Sequence, residues 1–220
     1  MKPLNTPALL FTADQAFPDP NTAMLDPNGL LAIGGDLSWQ RLLLAYKNGI
    51  FPWFSKGEPI LWWSPAPRMV LNLADLKISR SLKKSLANKQ FQVSFNQTFE
   101  QVIQACAKPR KASQDTWITE EMIHAYIELH QRGHAMSVET WYQGNLVGGL
   151  YGVCVNRVFC GESMFSSMTD ASKIALVHLV KKLKKQNYKL IDCQLYSPHL
   201  ASLGAKEIRR EVFLRLLRKR

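Results

Sequence analysis

The segment Leu190-Ile-Asp-Cys-Gln194 reads as a short buried strand that ends in an acid and an amide. Alternate side chains of a strand share a face, so Asp192 and Gln194 are expected to point the same way. A structural hydrogen-bond pair and a polar reaction centre both fit that pattern. Glu162, in Phe159-Cys-Gly-Glu-Ser-Met-Phe165, is a similar lone acid inside an apolar stretch. The same stretch begins like the Gly-x-Ser-x-Gly elbow of hydrolases, but Phe165 stands where the last glycine belongs. The sharp turn that would expose Ser163 as a nucleophile therefore loses its support. A Cys160 thiolate has no histidine at a spacing that singles out a partner. His124 and His130 are six apart, on different faces of a helix, and no HxH, HExxH or paired-cysteine pattern occurs, so no metal site is expected. Gly34-Gly35 and Gly148-Gly149 lack the spacing of phosphate-binding loops.

Large flat rings form the second chemical feature. Ile50-Phe-Pro-Trp-Phe54 and Ile60-Leu-Trp-Trp-Ser-Pro65 bring Trp53, Trp62 and Trp63 close together in sequence. Core packing is one reading, since Trp is mostly buried. Stacking on a nucleic-acid base is the other, and it needs such a ring at a basic cleft. The charge is distributed to match. Residues 1–64 carry a net charge of −1 and residues 65–220 a net charge of +12. A field that lopsided attracts polyanions, although a generally soluble basic surface has the same composition.

These residues need elements to hold them. Phe17-Pro-Asp-Pro-Asn21 excludes a helix. Ser38 is placed to cap a helix that runs to about Asn48 and stops at Gly49. After Pro67 the pattern alternates between strands and helices. A strand is expected over Met69–Leu73, a basic helix capped by Ser79, a strand over Phe91–Phe95 and a helix capped by Asn96. A basic loop covers 108–114. Thr119 then caps a helix that ends near Arg132, with Gly133 as its stop. Met136–Tyr142 and Leu146–Val155 flank a Gln-Gly-Asn turn and read as a hairpin, which Arg157–Gly161 continues. Asp170 is expected to cap a long amphipathic helix to about Lys185, ahead of the 190–194 strand. A helical turn over Pro198–Gly204 and a basic helix over 211–219 close the chain.

The 220 residues suit between one and two domains: a small aromatic-rich unit over 1–64 and a larger one over 65–220. With 46% apolar and 20% charged residues, the chain is neither disordered, collagenous nor a coiled coil. The run from Leu146 to Val155 is too short to span a bilayer, and neither a membrane segment nor an export signal is expected. The four cysteines form no CxxC pair and are expected to be reduced, cytosolic thiols. An α/β (α+β) fold is expected, in which a meander followed by a crossover helix and a further strand gives the skeleton of acetyltransferase-like (GNAT-like) mixed sheets. Fold analogy alone does not determine chemistry.

Several long blocks are more specific. Asn28-Gly-Leu-Leu-Ala-Ile-Gly-Gly-Asp-Leu37, Gly49-Ile-Phe-Pro-Trp-Phe54 and Leu61-Trp-Trp-Ser-Pro65 resemble the N-terminal signature of the bacterial leucyl/phenylalanyl-tRNA–protein transferases. Trp117-Ile-Thr119, Gly148-Gly-Leu-Tyr-Gly152, the 159–165 block, Ala171-Ser-Lys173, the 190–194 strand and His199-Leu-Ala-Ser-Leu-Gly-Ala205 extend the resemblance over about residues 16–214. Ala66 stands where the family usually has Asp, Arg209 replaces a usual Pro, and 195–198 is a variable stretch.

The resemblance implies transfer of Leu or Phe, less well Met, from aminoacyl-tRNA to proteins that begin with Arg or Lys, creating an N-end rule degradation signal. It implies a cytoplasmic enzyme, expected to be a monomer, that needs no cofactor because the ester is already activated. By matching position, Trp53 and Trp117 would hold the terminal adenosine of the tRNA, with Tyr46 and Tyr126 nearby. Leu150, Phe159, Met164, Leu176 and Leu179 would form the side-chain pocket, and Glu162, Asp192 and Gln194 the polar reaction centre. Lys83, Lys84, Lys181 and Lys182 are candidates for tRNA phosphates on charge grounds alone. Two other classes remain: a non-catalytic RNA-binding module, and a coenzyme-A-dependent N-acyltransferase. The latter would be expected to carry a glycine-rich loop where Phe165-Ser-Ser-Met-Thr-Asp170 has none.

Overall fold

The computed structural model describes residues 6–12, 14–108 and 117–218. Two sheets organise them, and the chain crosses from one to the other at Ser64–Pro67.

The first sheet comprises β1 (Ala8–Leu10), β2 (Leu30–Gly34), β3 (Phe51–Pro52) and β4 (Leu61–Trp63), in the order β1-β2-β4-β3. Between β2 and β3 lies α1 (Trp39–Lys47), where the Ser38 hydroxyl accepts the Arg41 N–H. The helix ends before Gly49, which adopts φ +74°. A side chain there would also collide with Leu214 at 2.6 Å, so glycine serves both the turn and the close approach of the C-terminal helix.

The second sheet follows. Its elements in chain order are β5 (Arg68–Asn72), α2 (Arg80–Ala87), β6 (Phe91–Phe95), α3 (Phe99–Ala107), α4 (Glu120–Gln131), β7 (Ala135–Tyr142), β8 (Asn145–Val155), β9 (Val158–Ser166), α5 (Ala171–Lys185), β10 (Leu190–Gln194), α6 (Pro198–Ser202), β11 (Lys206–Ile208) and α7 (Arg210–Arg218). Strand order is β11-β5-β10-β9-β8-β7-β6. Every neighbouring pair in this sheet is antiparallel except β9 and β10, which α5 joins as a parallel pair. The fold is therefore mixed α/β, with the expected meander, crossover helix and added strand.

Ser79 and Thr119 cap α2 and α4 through their hydroxyls, as their positions predict. Three local expectations are corrected. Asn96 adopts a left-handed backbone and uses its side-chain oxygen on the Ser137 N–H, so α3 starts after Thr98 instead. Asp170 stands at the N-cap position of α5 as expected, but its side chain does not cap the helix, because its carboxylate accepts from Lys173 and from the Ser85 hydroxyl. The third strand of the meander runs on to Ser166 rather than stopping at Gly161. The basic loop over 108–114 lies, apart from Lys108, outside the described residues, as does Lys219.

Apolar burial ties the two sheets together. One core cluster takes Tyr46, Phe51, Phe54 and Trp62 from the first part of the chain and Val70, Tyr126, Tyr151 and Phe213 from the second. A second cluster fills the opposite face of the large sheet, between β5, β8, β9 and β10 and the helix α5, with Leu71, Leu150, Phe159, Leu176, Leu179 and Ile191. Arg210 adds a polar tie, donating to the Ser64 carbonyl at 2.6 Å.

Candidate active site in the gap between two parallel strands

The parallel pairing of β9 with β10 stops at Asp192, opposite Cys160. Beyond that point β9 stays paired with β8 as far as Ser166, while β10 shifts register between Asp192 and Gln194 and bends away. Gln194 sits at φ +63°, a left-handed conformation that non-glycine residues adopt at a cost. The strands thus part, and a cavity of about 340 Å³ opens between them.

The apolar wall of this cavity includes all five side chains assigned to a pocket by resemblance: Leu150, Phe159, Met164, Leu176 and Leu179. Leu71, Ile191 and Leu200 complete it, none of which was anticipated. Strand alternation carries a signal for one of them. Ile191 occupies the face of β10 opposite Asp192, which is the side that packs on α5. Trp117, Ser163, Cys193, Ser197 and His199 are among its other lining residues.

Two polar groups meet at the cavity. The Gln194 side-chain amide donates to Glu162 Oε1 at 3.0 Å. The Tyr126 hydroxyl donates to the other carboxylate oxygen at 3.0 Å, and the Tyr46 and Tyr126 hydroxyls are hydrogen-bonded to each other. Burial pushes the Glu162 carboxyl up to about 7, against the opposing pull of its hydrogen bonds from Tyr46, Tyr126 and Gln194. Burial, reinforced by the Glu162 charge, keeps Tyr46 and Tyr126 well above the usual phenol range, so both stay protonated donors. A carboxyl near 7 can both accept and release a proton at neutral pH.

Asp192 is placed differently from expectation. It is fully buried and does not line the cavity. Arg68, itself buried, donates Nε to Oδ1 at 2.8 Å and Nη2 to Oδ2 at 2.7 Å. The guanidinium lies against the rings of Phe51 and Phe213, with its carbon 4.9 and 4.7 Å from their centroids. Asp192 Oδ1 also accepts the Gln194 backbone N–H at 3.0 Å. The register shift breaks the common face expected for Asp192 and Gln194, and the two meet through the backbone of Gln194 instead.

The aromatic residues separate. Trp117 lines the cavity. Trp53 does not; it is 42% exposed, packs at a tilt on Trp63 and follows β3, whose Phe51 ring touches Arg68. Trp62 is core. Tyr46 and Tyr126 are buried, so their rings offer no face for stacking on a base, and their hydroxyls serve Glu162. The four lysines fall on adjacent helices, because α2 packs on α5 through Leu82, Ile174 and Val177. Lys83, Lys84 and Lys181 are exposed, whereas Lys182 lies 4.5 Å over the Phe95 ring. The Cys160 thiol is buried and pushed well above the ordinary thiol range, which argues against its use as a nucleophile. Among the described residues, no group of three or more His, Cys, Asp or Glu could hold a metal ion, and no helix is long and apolar enough to cross a membrane.

The leucyl/phenylalanyl-tRNA protein transferase family model matches residues 70–218, and the model of its N-terminal domain matches residues 35–66. Proteins named leucyl/phenylalanyl-tRNA–protein transferase are similar over nearly the full length. That of Nitrosospira multiformis is 56% identical over 94% of this chain and 89% of its own. That of Nitrosomonas europaea is 58% identical over 93% and 87%, and that of Shewanella pealeana 52% identical over 97% and 91%. Two solved structures are similar at much lower identity. L-PGS from Bacillus licheniformis aligns with a TM-score of 0.39 at 13% identity, over 78% of this chain and 57% of its own. A GCN5-related N-acetyltransferase from Kribbella flavida aligns with a TM-score of 0.35 at 8% identity, over 74% and 58%. With two family models and relatives above 50% identity across almost all of its residues, the chain belongs to the leucyl/phenylalanyl-tRNA–protein transferase family.

Proposed function

We propose that this chain transfers a leucyl or phenylalanyl group from aminoacyl-tRNA to the N-terminal amine of an acceptor protein. The observation that carries the reading is the apolar cavity with the Glu162–Gln194 pair at its edge. The aminoacyl side chain would enter the wall formed by Leu150, Phe159, Met164, Leu176 and Leu179. Its ester carbonyl would then lie near Gln194 and Glu162.

The acceptor amine attacks that carbonyl, a C–N bond forms, and the C–O bond to the tRNA ribose breaks. One proton leaves the nitrogen and one is gained by the ribose oxygen. Gln194 is too weak a base to take that proton. Its NH2 group is directed to Glu162, which leaves the amide oxygen to orient the attacking N–H. Glu162, near 7, is matched to an α-amine whose ordinary value is about 8, and can pass the proton from the nitrogen to the leaving oxygen. Much of the rate would come from alignment, worth up to about 7–11 kcal/mol in favourable cases.

The reading includes acceptors that begin with Arg or Lys, an N-end rule outcome, a monomeric enzyme and a cytoplasmic setting. It also includes Trp117 and Trp53 holding the terminal adenosine, and tRNA phosphates lying along Lys83, Lys84, Lys181 and Lys182. The test is transfer of labelled Leu or Phe from charged tRNA to an Arg-starting peptide. Transfer is expected, and its absence with an intact, folded chain overturns the proposal.

A further inference from the structure

Gly152 and Gly161 face each other across β8 and β9, beside the register shift that follows Tyr151. Their surroundings differ. A methyl group at Gly152 would fall 2.6 Å from Cζ of Phe159 and 2.2 Å from the Cys160 carbonyl oxygen. The outer edge of the Phe159 ring therefore lies over the bare backbone of Gly152, and glycine is what lets it lie there. A methyl group at Gly161 would meet nothing closer than 3.7 Å, and the backbone there is one that any L residue adopts. Neither packing nor conformation requires glycine at 161.

Space is what Gly161 supplies. It lines the cavity, and the side chains nearest its missing methyl group, Ile191 and Phe159, are themselves cavity walls. We infer that this cross-strand glycine pair sets which aminoacyl side chain the cavity accepts. Gly152 keeps the Phe159 ring back against the sheet, and Gly161 leaves the adjoining wall open. A methyl group at 161 takes room from the largest occupant first, so phenylalanyl is lost before leucyl. A methyl group at 152 drives the Phe159 ring forward and disturbs the wall itself.

The inference rests on the proposed transfer reading and concerns its specificity. The experiment compares leucyl and phenylalanyl groups carried on one tRNA body, with Gly161→Ala, Gly161→Ser, Gly152→Ala and the wall variant Leu179→Phe. Gly161→Ala is expected to lower the Phe:Leu ratio of kcat/KM about tenfold or more, the effect of one methylene in an apolar pocket, without lowering the melting temperature. Gly161→Ser is expected to act in the same direction. Gly152→Ala is expected to lower the melting temperature and both transfers. A Phe:Leu ratio within about twofold of the parent in both Gly161 variants overturns the inference. If Leu179→Phe shifts the ratio and the Gly161 variants do not, the cavity reading stands and only the glycine pair falls. If none of the variants shifts it while the parent transfers both groups, the cavity does not hold the side chain and the inference falls with it. If the parent transfers neither group, the transfer reading itself has failed.

Discussion

Arg68 grips Asp192 with two parallel hydrogen bonds of 2.8 and 2.7 Å in the core between the two sheets. The carboxylate is thereby committed to the protein's own cation, and its remaining hydrogen bond is to the Gln194 backbone. An acceptor's positively charged side chain has no route to it, because Asp192 is fully buried and outside the cavity. Asp192→Asn is therefore expected to slow transfer to Arg-starting, Lys-starting and neutral acceptors by the same factor. Unequal slowing across the three, measured in single-turnover transfer, would contradict this. Arg68→Met leaves a buried carboxylate without its partner, and denaturant titration should show a loss of about 3–5 kcal/mol.

Glu162 predicts a pH dependence. In the proposed transfer it must be ionised to accept the amine's proton, so the rate should rise through a limb near pH 7. In Glu162→Gln that limb should vanish, with turnover reduced by on the order of 10²-fold, within the range that one general base contributes. Stability moves the other way. The folded state raises this carboxyl from 4.5 to about 7, so it binds more protons than the unfolded chain in between. Stability is then lost as pH rises from about 4.5 to 7, by an amount on the order of 3 kcal/mol. Calorimetry should find that part of the slope missing in Glu162→Gln.

The tyrosine hydroxyls tune the same limb. Tyr46 and Tyr126 stabilise the ionised form of Glu162, so removing either donor should move the carboxyl further up. Tyr126→Phe, which loses the 3.0 Å bond, is expected to shift the rising limb of the pH–rate profile to higher pH. A limb that stays in place would mean that these hydroxyls do not govern the group that titrates.

The basic helices predict a salt effect. Lys83→Ala with Lys84→Ala should raise the apparent KM for aminoacyl-tRNA and leave turnover nearly unchanged. The dependence of KM on salt should flatten by about one counterion for each phosphate that is no longer neutralised. Lys182 differs from its neighbours because its ammonium lies over Phe95. Lys182→Ala should also lower stability, by about 0.5–1 kcal/mol. Stopped-flow binding at several salt concentrations, together with thermal denaturation, separates the two effects.

Features governed by residues a few positions apart were legible in the sequence. Ser38, Ser79 and Thr119 cap helices because each needs only an N–H three residues ahead. The β7–β8 hairpin and the amphipathic α5 follow from turn chemistry and periodicity. The apolar set Leu150, Phe159, Met164, Leu176 and Leu179 could be named from family blocks, and the five side chains do meet around one cavity. What tertiary structure alone decided lies at long range. Arg68 and Asp192 are 124 positions apart, and no local pattern pairs them. The place where β10 parts from β9 depends on a register shift, and that shift turns Gln194 toward Glu162 and away from the face it would share with Asp192 in a regular strand. Asn96 has the residue type of a helix cap, but β7 lies beside it and takes its side-chain oxygen. Local preferences are worth about 1 kcal/mol each, and interactions brought together by the folded sheet readily outweigh them.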